Sequence, residues 1–324
     1  MRLFGIISLN PKNIPHIIDK VSLMLMKKII IFVFFLFLTG TYLPGKAAAG
    51  QSSEAAQADT GSLNLPKNPF TRIVRDSADE MLSFDTSLLT FVSEDGQYRV
   101  TLAAAIHIGD TGYYQELNRR FQEYDAVLYE MVGDNDPRPS SERESGGFIG
   151  WVQRLSAVAM KLDFQIGSIN YHAENFVHAD MTTAEFAAGM KKRGDGFVVW
   201  FLRAMGYKMV QPAEPLRKEL EFNGDLLKLI FLPNRSRTLR RMSVENLAEL
   251  DSTIIPTEGK NGSTLITDRN DKALQILRRE LDSGKSNLAI FYGAAHLPDF
   301  AKKLEKDFGM KPEKIEWLPC WKLD

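Results

Sequence analysis

Three residues able to do acid–base or metal chemistry stand at the ends of apolar stretches of the chain: His107, Glu130 and His296. Neutral imidazoles and a carboxylate can hold a divalent ion and leave positions open for water and substrate. Such an ion makes its bound water a nucleophile near neutral pH. The three residues predict a hydrolytic metal site, although their spacing contains no short zinc signature such as H-E-x-x-H. The alternative, that each histidine is a hydrogen-bonded structural residue, stays open.

The pattern around His107 and Glu130 predicts a hairpin followed by a βαβ unit. The hairpin turns at Asp95-Gly96. Its two strands, the helix and the next strand are predicted at Leu88–Val92, Tyr98–Leu102 (continuing to His107), Gly112–Glu123 and Asp125–Met131. A βαβ unit implies that His107 and Glu130 end parallel neighbouring strands, joined by a right-handed crossover.

The βα alternation returns near the carboxyl terminus. A helix, a strand, a second helix and a closing strand are predicted at Thr264–Asp282, Asn287–Tyr292, Asp299–Phe308 and Lys314–Pro319. We therefore expect an α/β fold with a central, mostly parallel sheet and flanking helices. Ligands of such sheets bind outside the carboxyl ends of the strands, where all three candidate residues fall.

A mostly helical insertion is predicted at about residues 145–255, between these two regions. Its candidate helices are Phe148–Leu162, Thr183–Lys192, Phe197–Met209, Leu216–Leu229 and Val244–Leu250. A group of basic residues in the insertion indicates an exposed helix face: Arg235, Arg237, Arg240 and Arg241.

Further polar residues could support the site or contact a substrate. Asp110 could orient the His107 imidazole, or cap the helix that follows it. Asp180 could bind a ligand, or pair with His178 in a loop. Arg269 could reach a carboxylate such as Glu130 or stabilise developing negative charge, although an ordinary solvated arginine is the alternative.

Residues 1–49 have the pattern of a signal region. Met26-Lys27-Lys28 is a basic start, Ile29–Leu38 is an unbroken apolar run, and Ala47–Ala49 offers a small-residue cleavage site. This order predicts export to the periplasm or the extracellular space. An uncleaved N-terminal membrane anchor is the alternative. We expect Met26 to be the true start, so that residues 1–25 are a mis-annotated extension.

The rest of the chain reads as a linker over residues 50–68 and one domain over 69–324. Residues 1–49 hold six of the 40 basic residues and one of the 41 acidic residues, which leaves a net charge of −6 on the remainder. This charge argues against nucleic acid as a partner. The single cysteine, Cys320, lies among apolar residues and is predicted to be packed in the core.

Six short motifs match a known family pattern. They are Ala104–Gly109, Tyr113-Tyr114, Ala126–Glu130, His178–Thr182, Asp268-Arg269-Asn270 and Gly293–Leu297. Together they resemble the TraB/PrgY/GumN family, to which the Tiki Wnt-cleaving proteases are similar. The resemblance extends from Thr101 to Trp317. The first of the two Gly-x-x-His motifs departs from the pattern, because Ala104 stands in place of glycine, and Asp268 replaces the usual glutamate.

The resemblance implies an α/β fold that gathers His107, Glu130, His296 and Arg269 at one site, with Asn270 beside them. For Tiki-like members it implies peptide hydrolysis with manganese or cobalt, whereas the activity of bacterial members is mostly undefined. We expect a metal-dependent hydrolase of peptides or proteins, with His107, Glu130 and His296 holding manganese, cobalt or zinc. Asp110, Asp180 and Asn270 would support the site or contact the substrate. The alternatives are a non-catalytic binding protein for a peptide signal, haem or another small ligand, and a structural role for the histidines.

Overall fold

The computed structural model describes most of the region predicted to be the domain. The described residues are 63–134, 137–138, 160–194, 234, 236–241, 243–244 and 262–323. The predicted signal region, most of the linker and most of the predicted helical insertion lie outside these ranges. No helix within the described ranges is long and apolar enough to cross a membrane.

Nine strands and five α-helices have their bounds within the described residues, and residues 236–241 and 243–244 are helical as well. The strands are β1 (Thr71–Arg75), β2 (Met81–Val92), β3 (Arg99–Ala105), β4 (Ile108–Gly109), β5 (Ala126–Tyr129), β6 (Asp163–Phe164), β7 (Phe176–His178), β8 (Asn287–Gly293) and β9 (Lys311–Lys322). The α-helices are α1 (Thr111–Phe121), α2 (Gln165–Ser168), α3 (Thr183–Arg193), α4 (Arg269–Asp282) and α5 (Leu297–Phe308). A π-helical turn, Thr264–Asp268, precedes α4, and a 3-10 turn, Ala294–His296, precedes α5.

Seven of the strands form one mixed sheet of mostly parallel strands. The strand order is β1-β2-β3-β8-β5-β7, with β9 paired to the other edge of β2. Strand β2 is antiparallel to β1, β3 and β9, whereas β8 is parallel to β3 and β5, and β5 to β7. Six strands of this sheet therefore run in one direction, and their carboxyl ends meet along one edge.

The predicted βαβ unit is present, but its two strands are not neighbours. Strand β8, which lies more than 150 residues further along the chain, is inserted between β3 and β5. The prediction of adjacent strands was wrong because sequence pattern reports which segments form strands, but not which later strand will pair between them. The insertion of β8 brings His296 between His107 and Glu130 along the edge.

Helices cover both faces of the sheet, as an α/β fold requires. Leu117 and Phe121 of α1 pack with Val127 and Phe291 on one face. On the other face, Leu277 of α4 and Phe300 of α5 pack with other residues of the same strands, including Leu128 and Ile290. Successive side chains of a strand point to opposite faces, so the nearly continuous apolar runs of β5 and β8 are those of doubly covered strands.

Several predicted elements are confirmed within a few residues of their expected bounds. The hairpin turns at Gly96, whose φ of +72° suits glycine. Helix α3 lies at the predicted position, and its Thr182–Glu185 capping box explains its start. Strand β9 is longer than predicted, and buries Cys320 as expected.

The described part of the predicted insertion is not only helical. It contains β7, which is an edge strand of the main sheet, and β6, which pairs with β4. These strands are two and three residues long, too short for a sequence pattern to reveal. Of the five candidate helices, only Thr183–Lys192 lies wholly within the described residues.

The basic group is only in part an exposed helix face: Arg237 lies in a helical stretch and is exposed, whereas Arg240 and Arg241 are partly buried. The Arg240 side chain is only 13% exposed, and it donates hydrogen bonds to the Met160, Lys161 and Lys322 carbonyls. Arg237 and Arg241 both donate to the carbonyl of residue 323. The prediction was wrong for Arg240 and Arg241, because their guanidinium groups bind main-chain carbonyls instead of facing solvent. Arg235 lies outside the described residues.

Candidate active site

The carboxyl ends of β3, β8 and β5 lie side by side and define the candidate site. Ala105 at the end of β3 aligns with Gly293 at the end of β8. His107, His296 and Glu130 each follow the last residue of one of these three strands by at most three positions. The structure therefore places the three predicted residues along one edge of the sheet, but their side chains have different surroundings.

Glu130 is bound on both carboxylate oxygens. Its Oε2 accepts a hydrogen bond of 2.8 Å from the main-chain N–H of Gly293, and its Oε1 accepts one of 2.7 Å from Arg269 Nη2. Burial by itself would raise the pKa of this carboxyl. The nearby His296 and Arg269 side chains and the Gly293 N–H outweigh burial and lower the pKa of Glu130 to about 2. Glu130 is therefore ionised at neutral pH.

Arg269 joins two carboxylates at the start of α4. Its Nε and Nη2 donate to both oxygens of Asp180, at 3.0 and 2.6 Å, while Nη2 also binds Glu130. The Asp180 side chain is fully buried, and a bidentate arginine is the partner that such a carboxylate needs. Burial opposes the charge of Arg269, but the two carboxylates raise its pKa above the usual value. The predicted contact of Arg269 with Glu130 is present.

A second arginine–carboxylate pair, Arg193 with Asp268, holds the beginning of α4 in place. Arg193 of α3 donates from Nε and Nη2 to both oxygens of Asp268, the residue before Arg269. Thr264, at the start of the π-helical turn, donates to the same carboxylate at 3.0 Å. The turn and α3 therefore help to position Arg269 and Asn270.

His296 is buried within the 3-10 turn that follows β8. Its Nδ1 lies 2.7 Å from Asn270 Oδ1, and its Nε2 lies 3.6 Å from Glu130 Oε1. The Tyr292 ring packs edge-on against the imidazole, with ring centroids 5.3 Å apart. Burial lowers the pKa of His296 below 6.5, although the Glu130 charge acts in the opposite direction. The imidazole is therefore neutral at neutral pH.

Asn270 lies behind His296 and is completely buried. Its Nδ2 donates to the main-chain carbonyl of His296 at 3.0 Å and to Asp299 Oδ2 at 2.9 Å. Lys303, one turn further along α5, binds the same Asp299 oxygen at 2.7 Å. Asn270 therefore connects the start of α4 with the start of α5.

His107 is exposed, in contrast to His296. Its side chain makes no hydrogen bond to any described residue, but its charge contributes to the lowered pKa of Glu130. Its main-chain carbonyl accepts a hydrogen bond from Gln165 N at 2.8 Å. The Gln165 Oε1 atom is buried and has no hydrogen-bond partner among the described residues. Gln165, which binds the His107 main chain, therefore has a buried side-chain oxygen that could still accept a hydrogen bond.

Tyr113 and Tyr114 of α1 hold the segment that leads to His107. Their hydroxyl groups donate to the carbonyls of Ala104 and Ile106, each at 2.9 Å. Gly109 allows this packing, since a Cβ there would lie 3.1 Å from Tyr113 Cδ1. The Ala104 difference from the family pattern causes no backbone strain, because Ala104 lies within β3 and does not have a positive φ.

The contact predicted between Asp110 and His107 is not formed, and neither are the two alternatives, an Asp110 cap and a His178–Asp180 pair. Asp110 binds Arg240 at 2.9 Å and the Lys322 N–H at 2.7 Å, so its carboxylate joins α1 to β9 instead of orienting His107. It also makes no side-chain cap to α1. His178 Nε2 faces the Met131 carbonyl at 2.6 Å, so His178 does not pair with Asp180.

The candidate site has two of the three metal ligands that the sequence predicts. Among the residues that the structure describes, no group of three or more His, Cys, Asp or Glu side chains is arranged to hold one. Two of the three predicted ligands do converge, since Glu130 and His296 face each other. A carboxylate and a neutral imidazole are suitable ligands for zinc or manganese.

The sequence reasoning missed three groups at the site. The Gly293 N–H binds Glu130, Asp299 holds Asn270, and Tyr292 packs on His296. Gly293, the small residue at the end of β8, was a usable signal for the first of these, because its backbone lies close enough to Glu130 that a Cβ there would be 3.4 Å from Oε2. The other two depend on side-chain directions that the sequence does not reveal.

Comparisons with known proteins identify no relative of this chain. No protein-family model matches the chain, no curated protein is significantly similar, and no solved structure matches its fold.

Proposed function

We propose that this chain is a metal-dependent hydrolase that cleaves peptides or proteins outside the cytoplasm. Glu130 and His296 would hold a divalent ion, and His107 would supply the third ligand. The observation that carries the proposal is the buried pair formed by an ionised carboxylate and a neutral imidazole, whose Oε1 and Nε2 atoms lie 3.6 Å apart.

This separation suits two ligands of one ion better than a hydrogen bond. Hydrogen bonds between nitrogen and oxygen are usually 2.7–3.2 Å long. Two ligand atoms that each lie about 2.1 Å from a tetrahedral ion are separated by about 3.4 Å. Arg269, Glu130 and Asp180 together carry a net negative charge when both acids are ionised, which favours a cation beside them.

A bound manganese, cobalt or zinc ion would supply a water molecule that loses a proton near neutral pH. The chain's own residues would prepare that site. Arg269 and the Gly293 N–H keep Glu130 ionised and oriented, and burial keeps His296 neutral. Arg269 has little capacity left to polarise a substrate carbonyl. Four of its five N–H groups face Asp180, Glu130 and the Leu265 carbonyl.

Metal content and peptide hydrolysis test the proposal directly. The natively purified protein should contain a divalent metal by elemental analysis, and its metal-free form should regain hydrolysis of a mixed peptide library with Mn²⁺, Co²⁺ or Zn²⁺. His296→Gln and Glu130→Gln should each weaken metal binding more than about 100-fold, because they remove a ligand. His178→Gln is the matched control, since the hydrogen-bond partner of His178 is a main-chain carbonyl and not a residue of the candidate site.

His107→Gln distinguishes a three-ligand site from a two-ligand site. A third ligand at His107 predicts weaker metal binding with unchanged folding. Unchanged metal content and unchanged hydrolysis in both His296→Gln and Glu130→Gln would overturn the proposal.

A second candidate is a non-catalytic binding protein for a peptide signal, haem or another small ligand. It is favoured by the exposed position of His107 and by the lack of a three-ligand group among the described residues. A buried acceptor pair without a third ligand would hold an ammonium or guanidinium group of a ligand. Tight binding of a cationic peptide without any product after long incubation would support this candidate over the hydrolase.

The proposal also covers the family of the chain, its predicted helical insertion and its export. We propose kinship with the TraB/PrgY/GumN family on the motifs quoted above, a mostly helical insertion at about residues 145–255, and export directed by residues 26–49. N-terminal sequencing of the protein from its native envelope should find a start near residue 50. A start at Met1 or Met26 would instead support the N-terminally anchored form.

A further inference from the structure

Asn270 has a position that decides which nitrogen of His296 carries the proton. Its amide nitrogen faces two oxygens that can only accept, the His296 carbonyl and the Asp299 carboxylate. A reversed amide would place its oxygen against both of these acceptors at about 3 Å, which costs two hydrogen bonds in a buried site. Asp299 is itself held by Lys303, so it remains an acceptor. The amide orientation is therefore determined.

The fixed amide presents Oδ1 to His296 Nδ1 at 2.7 Å. An amide oxygen accepts only, so Nδ1 must carry the proton of the neutral imidazole. The other nitrogen, Nε2, then has a free lone pair, and this lone pair is directed to the side of the ring where Glu130 lies. Second hydrogen bonds of this kind commonly set the tautomer and orientation of a metal-binding histidine.

We infer that Asn270 is a positioning residue that locks His296 in the Nδ1–H tautomer, which keeps Nε2 available as a ligand atom. The tautomer follows from the hydrogen bonds alone. Its consequence for metal affinity rests on the proposed function. Asp299 supports the lock but does not create it, since the His296 carbonyl would hold the amide orientation without it.

The tautomer can be observed in the unsubstituted, metal-free protein. Long-range ¹H–¹⁵N correlation at neutral pH separates protonated from unprotonated ring nitrogens, and His296→Gln identifies the His296 signals. We expect a proton on Nδ1 of His296. His178 is an internal reference with the opposite tautomer, because its Nε2 faces the Met131 carbonyl at 2.6 Å. A proton on Nε2 of His296 would overturn the inference.

Asn270→Ala tests the consequence for the site. We expect mixed tautomers at His296 and a loss of about 10- to 100-fold in affinity for Mn²⁺, Co²⁺ or Zn²⁺. Asn175→Ala is the matched control, since the Asn175 amide nitrogen also donates two hydrogen bonds, in this case both to main-chain carbonyls, but lies on the opposite side of β5 from β8. This control should change neither the His296 tautomer nor the metal affinity.

The outcomes separate the two proposals. An unchanged metal affinity in a folded Asn270→Ala protein with mixed tautomers would refute the positioning role. If Asn270→Ala does not fold, the spectrum of the unsubstituted protein still decides the tautomer. An Nδ1–H tautomer in a protein that binds none of the three metals would support the lock and overturn the metal-dependent hydrolase.

Discussion

His107 and His296 follow adjacent parallel strands, yet one side chain is exposed and the other is buried. After β3 the chain bends into the short strand β4, and the tyrosines of α1 donate hydrogen bonds to the carbonyls of Ala104 and Ile106, just before His107. After β8 the chain enters a 3-10 turn that continues into α5, which turns His296 inward. The direction of the chain after each strand, and not the histidine motif itself, sets the surroundings of the imidazole.

This difference shows where the site is preorganised. At the His296 end, Asn270, Glu130, Arg269 and Asp180 form a connected network of hydrogen bonds and ion pairs. At the His107 end, only the main chain is held by described residues. Three pairs of variants and one pH series test this contrast, and they are given from the largest expected effect to the smallest.

Arg269→Met should cause the largest loss of stability. It leaves the buried carboxylates of Asp180 and Glu130 without their cation, and breaking a buried pair in this way typically costs about 3–5 kcal/mol. Arg99→Met is the control, because Arg99 pairs with Glu313 at the surface and such pairs contribute about 1 kcal/mol or less. Urea unfolding measures both. Equal losses in the two variants would contradict a preorganised network.

Acid should destabilise the protein through the same network. The pKa values of His296 and Glu130 are lowered by folding, so the unfolded chain binds more protons and stability falls as the pH falls. The loss begins below about pH 6.5 for His296. For Glu130 it proceeds from its usual pKa of 4.5 towards about 2 and reaches about 3 kcal/mol.

Unfolding free energies measured from about pH 7 to about pH 3 test this expectation. Glu130→Gln should make the dependence shallower below about pH 4.5, and His107→Gln should have a smaller effect, because His107 is the weakest of the groups that lower the pKa of Glu130. An equal dependence in the Glu130→Gln protein would show that Glu130 titrates as an ordinary surface acid.

His296→Ala and His107→Ala compare the two histidines directly. Loss of the buried imidazole leaves the Asn270 oxygen without its donor, which costs about 1–3 kcal/mol. Loss of the exposed imidazole should change stability by no more than about 0.5 kcal/mol. Thermal and urea unfolding of the metal-free proteins measure the difference. A larger loss for His107→Ala would reverse the assignment of the buried end.

Gly109→Ala and Gly293→Ala compare the glycines at the two ends. A Cβ at Gly109 would lie 3.1 Å from a Tyr113 ring that is itself buried and hydrogen-bonded, so we expect a loss of about 1 kcal/mol. At Gly293 the nearest atom, Glu130 Oε2, is 3.4 Å away and φ is −51°. That variant should change stability by about 0.5 kcal/mol or less. A larger effect at Gly293 would mean that its motif needs glycine for the fold.

Much of the fold could be predicted from local pattern. The strand ends before His107, Glu130 and His296 follow from apolar runs, and the helices α1, α3, α4 and α5 from their spacing and caps. Strand β7 was missed because three residues carry too little pattern, and the role of Arg240 was missed because charge alone does not reveal a main-chain carbonyl partner.

The sequence by itself determined that three residues able to do acid–base or metal chemistry would stand at the carboxyl ends of parallel strands. Local periodicity is enough for this, because every βα unit of such a sheet ends its strand on the same edge. Only the tertiary structure decided that β8 lies between β3 and β5, that Asp110 binds Arg240, and that His296 rather than His107 is buried against Glu130. These outcomes depend on contacts between residues far apart in the chain, such as Arg269 and Glu130, which are 139 positions apart. Packing of distant segments, and not any local preference, selects such contacts.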